Sequence, residues 1–109
     1  MDVNTSEGPL EVEVTSEGDE VVLVLRGELD PHTAPTLRDE IDGALEPSTE
    51  LLVLDVGGLR FIDSSGLRVI ISTHKDMAAR DGQLVLRSPT DTTRRLLDIT
   101  GLSDHIAVD

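Results

Sequence analysis

The chain has no cysteine, tryptophan or tyrosine, and one phenylalanine, Phe61, in 109 residues. Without cysteine there is no disulfide framework, no thiolate nucleophile and no thiolate zinc site. Without a set of aromatic rings, stacking on nucleic-acid bases is nearly excluded. Basic residues are also scarce: nine Lys plus Arg stand against 22 Asp plus Glu, a formal net charge of −13. Such a surface repels a phosphate backbone and an anionic leaflet alike, so neither nucleic acid nor direct membrane binding is expected. No run of about 18 apolar residues occurs, and the start MDVNTSEGPL has neither a basic nor an apolar segment, so no transmembrane or signal segment is visible. The cytoplasm is the expected address.

What is present suits one small globule. A 38 % hydrophobic share, carried by Val, Leu and Ile, builds one modest core and leaves no room for a second domain. The acidity is uneven: residues 1–50 hold 14 acids and two bases, residues 51–109 eight acids and seven bases. Residues 1–8 read as a flexible tail ahead of a domain spanning 9–109. Leu10, Val12 and Val14 alternate with Glu11 and Glu13 as an edge strand. Ser16-Glu17-Gly18-Asp19 forms a turn, and Val21 to Leu25 completes a hairpin. Gly27-Glu28-Leu29-Asp30 is expected to break that strand.

A helix flanked by Pro31 and Pro35 starts at Thr33 and turns Leu37, Ile41, Ala44 and Leu45 inward, Arg38, Asp39, Glu40, Asp42 and Glu46 outward, up to Pro47. Leu51 to Val56 is a central strand that Gly57-Gly58 should end. A second helix from Asp63 to near Gly82 lines Leu67, Ile70, Ile71, His74 and Ala78 along one face. Leu84 to Leu86 is a further strand. Ser88-Pro89-Thr90-Asp91 resembles a capping box that opens a third helix through Leu96 and Leu97, stopping at Gly101. Ile106 and Val108 add a last short strand. The alternation predicts an α/β fold: a mixed four- to five-stranded sheet with crossover α-helices.

The informative segment is Leu59-Arg60-Phe61-Ile62-Asp63-Ser64-Ser65-Gly66-Leu67, where an acid, two hydroxyls and a glycine join the central strand to a helix. In an open sheet such a turn is where ligands and partners meet the chain. Asp63, Ser64 and Ser65 are all good helix caps, which alone would explain the triplet. Capping is the favoured reading, and an exposed hydroxyl there is compatible with modification as well, since free amides and the helix dipole favour an added phosphate. Gly66 allows a close backbone approach.

With these residues the chain resembles the STAS-domain anti-sigma factor antagonists, small bacterial regulators whose phosphorylation motif is Asp-Ser-Ser-Gly-Leu. The likeness extends to Leu25-Arg26-Gly27-Glu28-Leu29-Asp30 and to Arg95-Leu96-Leu97-Asp98-Ile99-Thr100-Gly101-Leu102. It implies a single STAS domain over 9–109 and a phosphoprotein of stress-response or sporulation signalling. It further implies that Ser64 is phosphorylated by an anti-sigma factor serine/threonine kinase and that a metal-dependent serine phosphatase reverses the step. The partner-binding surface it implies comprises Asp30, Asp63, Ser64, Ser65, Gly66, Leu67 and Arg68. Arg68 departs from the family, many of whose members have a small residue there.

Other readings are weaker. His32, His74 and His105 have no paired metal-ligand spacing, so no metal and no cofactor are expected. A hydrolase built from Ser64, His32 and Asp30 lacks the Gly-x-Ser-x-Gly elbow. No Gly-x-Gly-x-x-Gly or P-loop stands at a strand-helix turn, so the chain is expected to be no enzyme. A STAS module of a signalling scaffold, or of a lipid or anion transport assembly, is the alternative.

Overall fold

The computed structural model describes residues 9–109; the tail expected over residues 1–8 lies outside the described residues. Five strands form one sheet in the order of the sequence, β1 (Leu10–Glu17), β2 (Glu20–Leu29), β3 (Leu51–Ile62), β4 (Gln83–Arg87) and β5 (Ala107–Val108). β1 and β2 pair antiparallel through a tight turn at Gly18, whose φ of +63° is open to glycine, and every later neighbour is parallel. The crossovers carry α1 (Ala34–Ala44), α2 (Ser64–Ala79) and α3 (Asp91–Thr100). Because the strand order advances in one direction, crossovers of the usual right hand put the helices on one face. The single core agrees: Leu23, Leu25, Leu52, Leu54 and Leu86 of the sheet pack with Leu37 and Ile41 of α1, Ile70 and Met77 of α2 and Leu97 of α3.

Two glycine signals read as strand ends are bends within strands. β2 runs through Gly27 to Leu29, and β3 runs through Gly57-Gly58 to Ile62. The register of this pair slips between Val24 and Arg26 and again between Gly27 and Glu28. Glycine is used there because the backbones crowd: a Cβ on Gly27, at φ +109°, would collide with the Pro9 carbonyl, and one on Gly58 would lie 2.9 Å from the Leu25 carbonyl oxygen. The outcome is that β2 and β3 extend together and end side by side at Leu29 and Ile62.

The helix faces also differ in detail. α2 buries Gly66, Leu67, Ile70, Thr73 and Met77, while Ile71 and His74 are half-buried and Ala78 is exposed. Thr73 enters the core side because its hydroxyl donates to the Val69 carbonyl at 2.7 Å, which removes the cost of burying it. Arg38, expected in water, is half-buried and bridges α1 to α2. α3 is capped by Thr90, whose hydroxyl accepts from the Thr93 amide at 3.2 Å, rather than by Ser88, which stands at φ +57° outside the helix. Gly101 closes α3 in the left-handed conformation.

Candidate functional site

The paired ends of β2 and β3 create the site. The Asp63 amide donates to the Leu29 carbonyl at 3.2 Å, so the two strands are still joined one residue beyond Ile62. Asp30 and Asp63 therefore follow neighbouring strand ends, and each organises the start of a helix. Asp63 is the cap of α2: its Oδ1 accepts from the Ser65 amide at 2.9 Å and the Gly66 amide at 3.2 Å. Ser64 is thus the first residue of α2 and is exposed, whereas Ser65 is half-buried and Gly66 and Leu67 are buried. The amides of Ser65 and Gly66, expected to be free for a phosphate, are occupied by the Asp63 carboxylate. A phosphate on Ser64 would add charge beside that carboxylate.

Asp30 does for the β2–α1 turn what Asp63 does for α2. Its Oδ1 accepts from the His32 amide at 2.9 Å and the Thr33 amide at 3.0 Å. Thr33, almost fully buried, completes the turn: its hydroxyl donates to the Glu28 carbonyl at 2.8 Å and accepts from the Asp30 amide at 2.9 Å. Hydrogen bonds from the Thr33 amide, and then from the His32 amide and the Thr33 hydroxyl, hold the Asp30 carboxyl below the usual carboxylate range against the opposing effect of desolvation. At neutral pH it is an anion fixed at the edge of the site.

Asp30, Asp63, Ser64, Ser65 and Gly66 are thus placed at one end of the sheet, with Leu67 turned into the core and Arg68 exposed on α2. Arg68 has no ion pair with Asp63 among the described residues; it lines a groove between α1 and α2. Ser64 has no hydrogen bond to His32 among the described residues, and Asp30 holds the His32 backbone rather than its ring. No cluster of three metal-ligating side chains occurs among the described residues. Sequence reasoning did not single out one exposed apolar residue near the end of β3. Phe61, two residues before Asp63, is 49 % exposed because β3 turns Ile62 into the core and Phe61 away from it. The absence of any other aromatic ring was the signal that could have singled it out.

The fold agrees with a family model. Residues 11–109 match the STAS domain. The chain belongs to that family. Curated relatives match over most of the chain. The anti-sigma-B factor antagonist of Listeria monocytogenes is 32 % identical over 90 residues, covering 83 % of this chain and 79 % of that protein. The anti-sigma F factor antagonist of Paenibacillus polymyxa is 34 % identical over 94 residues, covering 85 % and 80 %. Among solved structures, an anti-sigma factor antagonist from Mycobacterium paratuberculosis superimposes with a TM-score of 0.81 at 26 % identity, covering 91 % of this chain and 84 % of that one. Among the described residues of this STAS domain, no helix is long and apolar enough to cross a membrane.

Proposed function

We propose that this STAS domain is a non-enzymatic, cytoplasmic antagonist of an anti-sigma factor, switched by phosphorylation of Ser64. The unphosphorylated chain binds an anti-sigma factor serine/threonine kinase and so frees the sigma factor that the kinase holds. The kinase transfers the γ-phosphoryl group of ATP to the Ser64 oxygen, which gives up its proton, and the complex breaks. A metal-dependent serine phosphatase restores the hydroxyl. The observation that carries this reading is the exposed Ser64 hydroxyl at the first position of α2, beside the fixed carboxylate of Asp63 and next to the strand end that bears Asp30. The names of the curated relatives support the same class of activity.

Local charge suffices for the switch. A phosphate adds about −1.5 to −2 charges at pH 7, on an edge that already holds two aspartates. Like-charge contacts introduced into an interface cost several kcal/mol, and about 1.4 kcal/mol changes affinity tenfold at 25 °C. The helix dipole offsets about 0.3–1 kcal/mol of the phosphate's cost in the free chain. The folded domain therefore tolerates the phosphate that the partner rejects, and no refolding is required. Incubation with Mg-ATP and an anti-sigma kinase from the same genome, followed by peptide mapping, tests this: one phosphate on Ser64, absent in Ser64→Ala, is the expected result.

A further inference from the structure

Beside Ser64, α1 and α2 leave a groove of about 350 Å³. Its apolar wall is Pro31 and Pro35 at the start of α1 and Val69 on α2; Ser65 lies at the end nearest the switch, and Arg38 and Arg68 reach in from opposite helices. Two arginines lining one apolar groove run against the composition of a chain with net charge −13. The two differ in state. Arg38 is held by its Asp76 contact at 2.7 Å, Asp42 at 3.3 Å and the Ser72 hydroxyl at 3.1 Å, and these anions, Asp76 first, raise its pKa above the ordinary arginine value. Arg68 has no acidic partner among the described residues and is exposed on the helix that begins with Ser64.

We infer that this groove is the docking site for an acidic-apolar segment of the protein partner, an aliphatic side chain seated against Pro31, Pro35 and Val69 with a neighbouring carboxylate paired to Arg68. Charge complementarity selects the occupant. An uncommitted arginine presents a planar fork that matches a carboxylate in two-point geometry, and Arg38, pinned by its own anions, keeps the opposite wall rigid. The groove contains Ser65 and so continues from the Ser64 junction; an occupant here brings the partner's phosphoryl-transfer machinery to the serine. Arg68 thereby acts as a specificity residue. A partner carrying lysine in place of the carboxylate would meet a like charge. This inference rests on the reading of the Ser64 junction as the contact for an anti-sigma factor.

The test is calorimetric titration of the anti-sigma factor serine kinase from the same genome into the unphosphorylated chain. Arg68→Glu is compared with wild type and with Arg94→Glu, which makes the same charge change at an exposed position on α3. The dissociation constant is expected to rise about tenfold or more for Arg68→Glu and to stay within about twofold for Arg94→Glu, with circular dichroism unchanged in both. Arginine introduced at the partner's contacting carboxylate restores binding to Arg68→Glu. Wild-type binding that Arg68→Glu leaves intact, or that Arg94→Glu weakens equally, overturns the groove while leaving the antagonist function standing. Failure of every anti-sigma kinase of that genome to bind wild type overturns the antagonist reading itself, and the groove's occupant with it.

Discussion

Gly66 lies so close to Leu29 that a Cβ at this position would stand 2.6 Å from Leu29 Cγ and 2.7 Å from Leu29 Cδ2. The glycine of the serine motif is thus a packing requirement. It lets the first turn of α2 sit directly on the last core residue of β2, which is what brings Ser64 to the ends of both strands.

Gly66→Ala is expected to destabilise the fold by about 1–3 kcal/mol, since Leu29 is fully buried and the added methyl overpacks the core. Urea unfolding followed by circular dichroism measures it. A midpoint equal to wild type would mean that α2 shifts at no cost.

Asp63→Ala removes an acceptor for two amides of the first turn. A loss of about 1 kcal/mol, within the 0.5–2 range of helix caps, is expected, with faster hydrogen exchange at Ser65 and Gly66. Asp63→Asn, which retains the acceptor oxygen, should recover most of it.

Asp30 gives an acid-sensitive contribution. Its pKa is lowered on folding, so the charged form is favoured in the native state and its stabilisation is fully present above about pH 4. As the pH falls below that value the contribution disappears. The stability difference between wild type and Asp30→Ala should therefore be largest near neutral pH and shrink in acid. A difference that stays constant down to pH 2 would contradict the role assigned to its carboxylate.

Phe61 is half-exposed at the end of β3, so Phe61→Ala should barely move the unfolding midpoint. Aromatic side chains are frequent anchors of binding energy, and truncating one that serves as an anchor costs a complex about 2 kcal/mol or more. Titration of the anti-sigma kinase is the measurement, and an unchanged affinity places Phe61 outside the contact surface.

Where one physical signal dominated, the sequence was readable. Leu37 and Ile41 announced the buried face of α1 by their spacing, and Asp63-Ser64-Ser65 announced a helix start after a strand. Gly27 and Gly57-Gly58 misled because the same residue ends strands and bends them; only the register of the partner strand tells which. The inward turn of Thr73 and the half-burial of Arg38 depend on acceptors that are distant in sequence or set by the helix rotation, namely Asp76 across the α1–α2 contact and the Val69 carbonyl. Asp30 could be placed near Ser64 only through family resemblance. Its hydrogen bonds to the β2–α1 turn belong to a loop whose shape no periodicity encodes.

The central claim is that phosphate on Ser64 changes binding through local charge while the fold stays as it is. The most direct measurement is a pair of amide spectra and titrations, wild type against the singly phosphorylated chain, with the anti-sigma kinase as titrant. The account predicts shift changes confined to the β3–α2 junction and the end of β2, together with loss of the complex. Shift changes throughout the sheet, or a phosphorylated chain that still binds as tightly as the unmodified one, would contradict it.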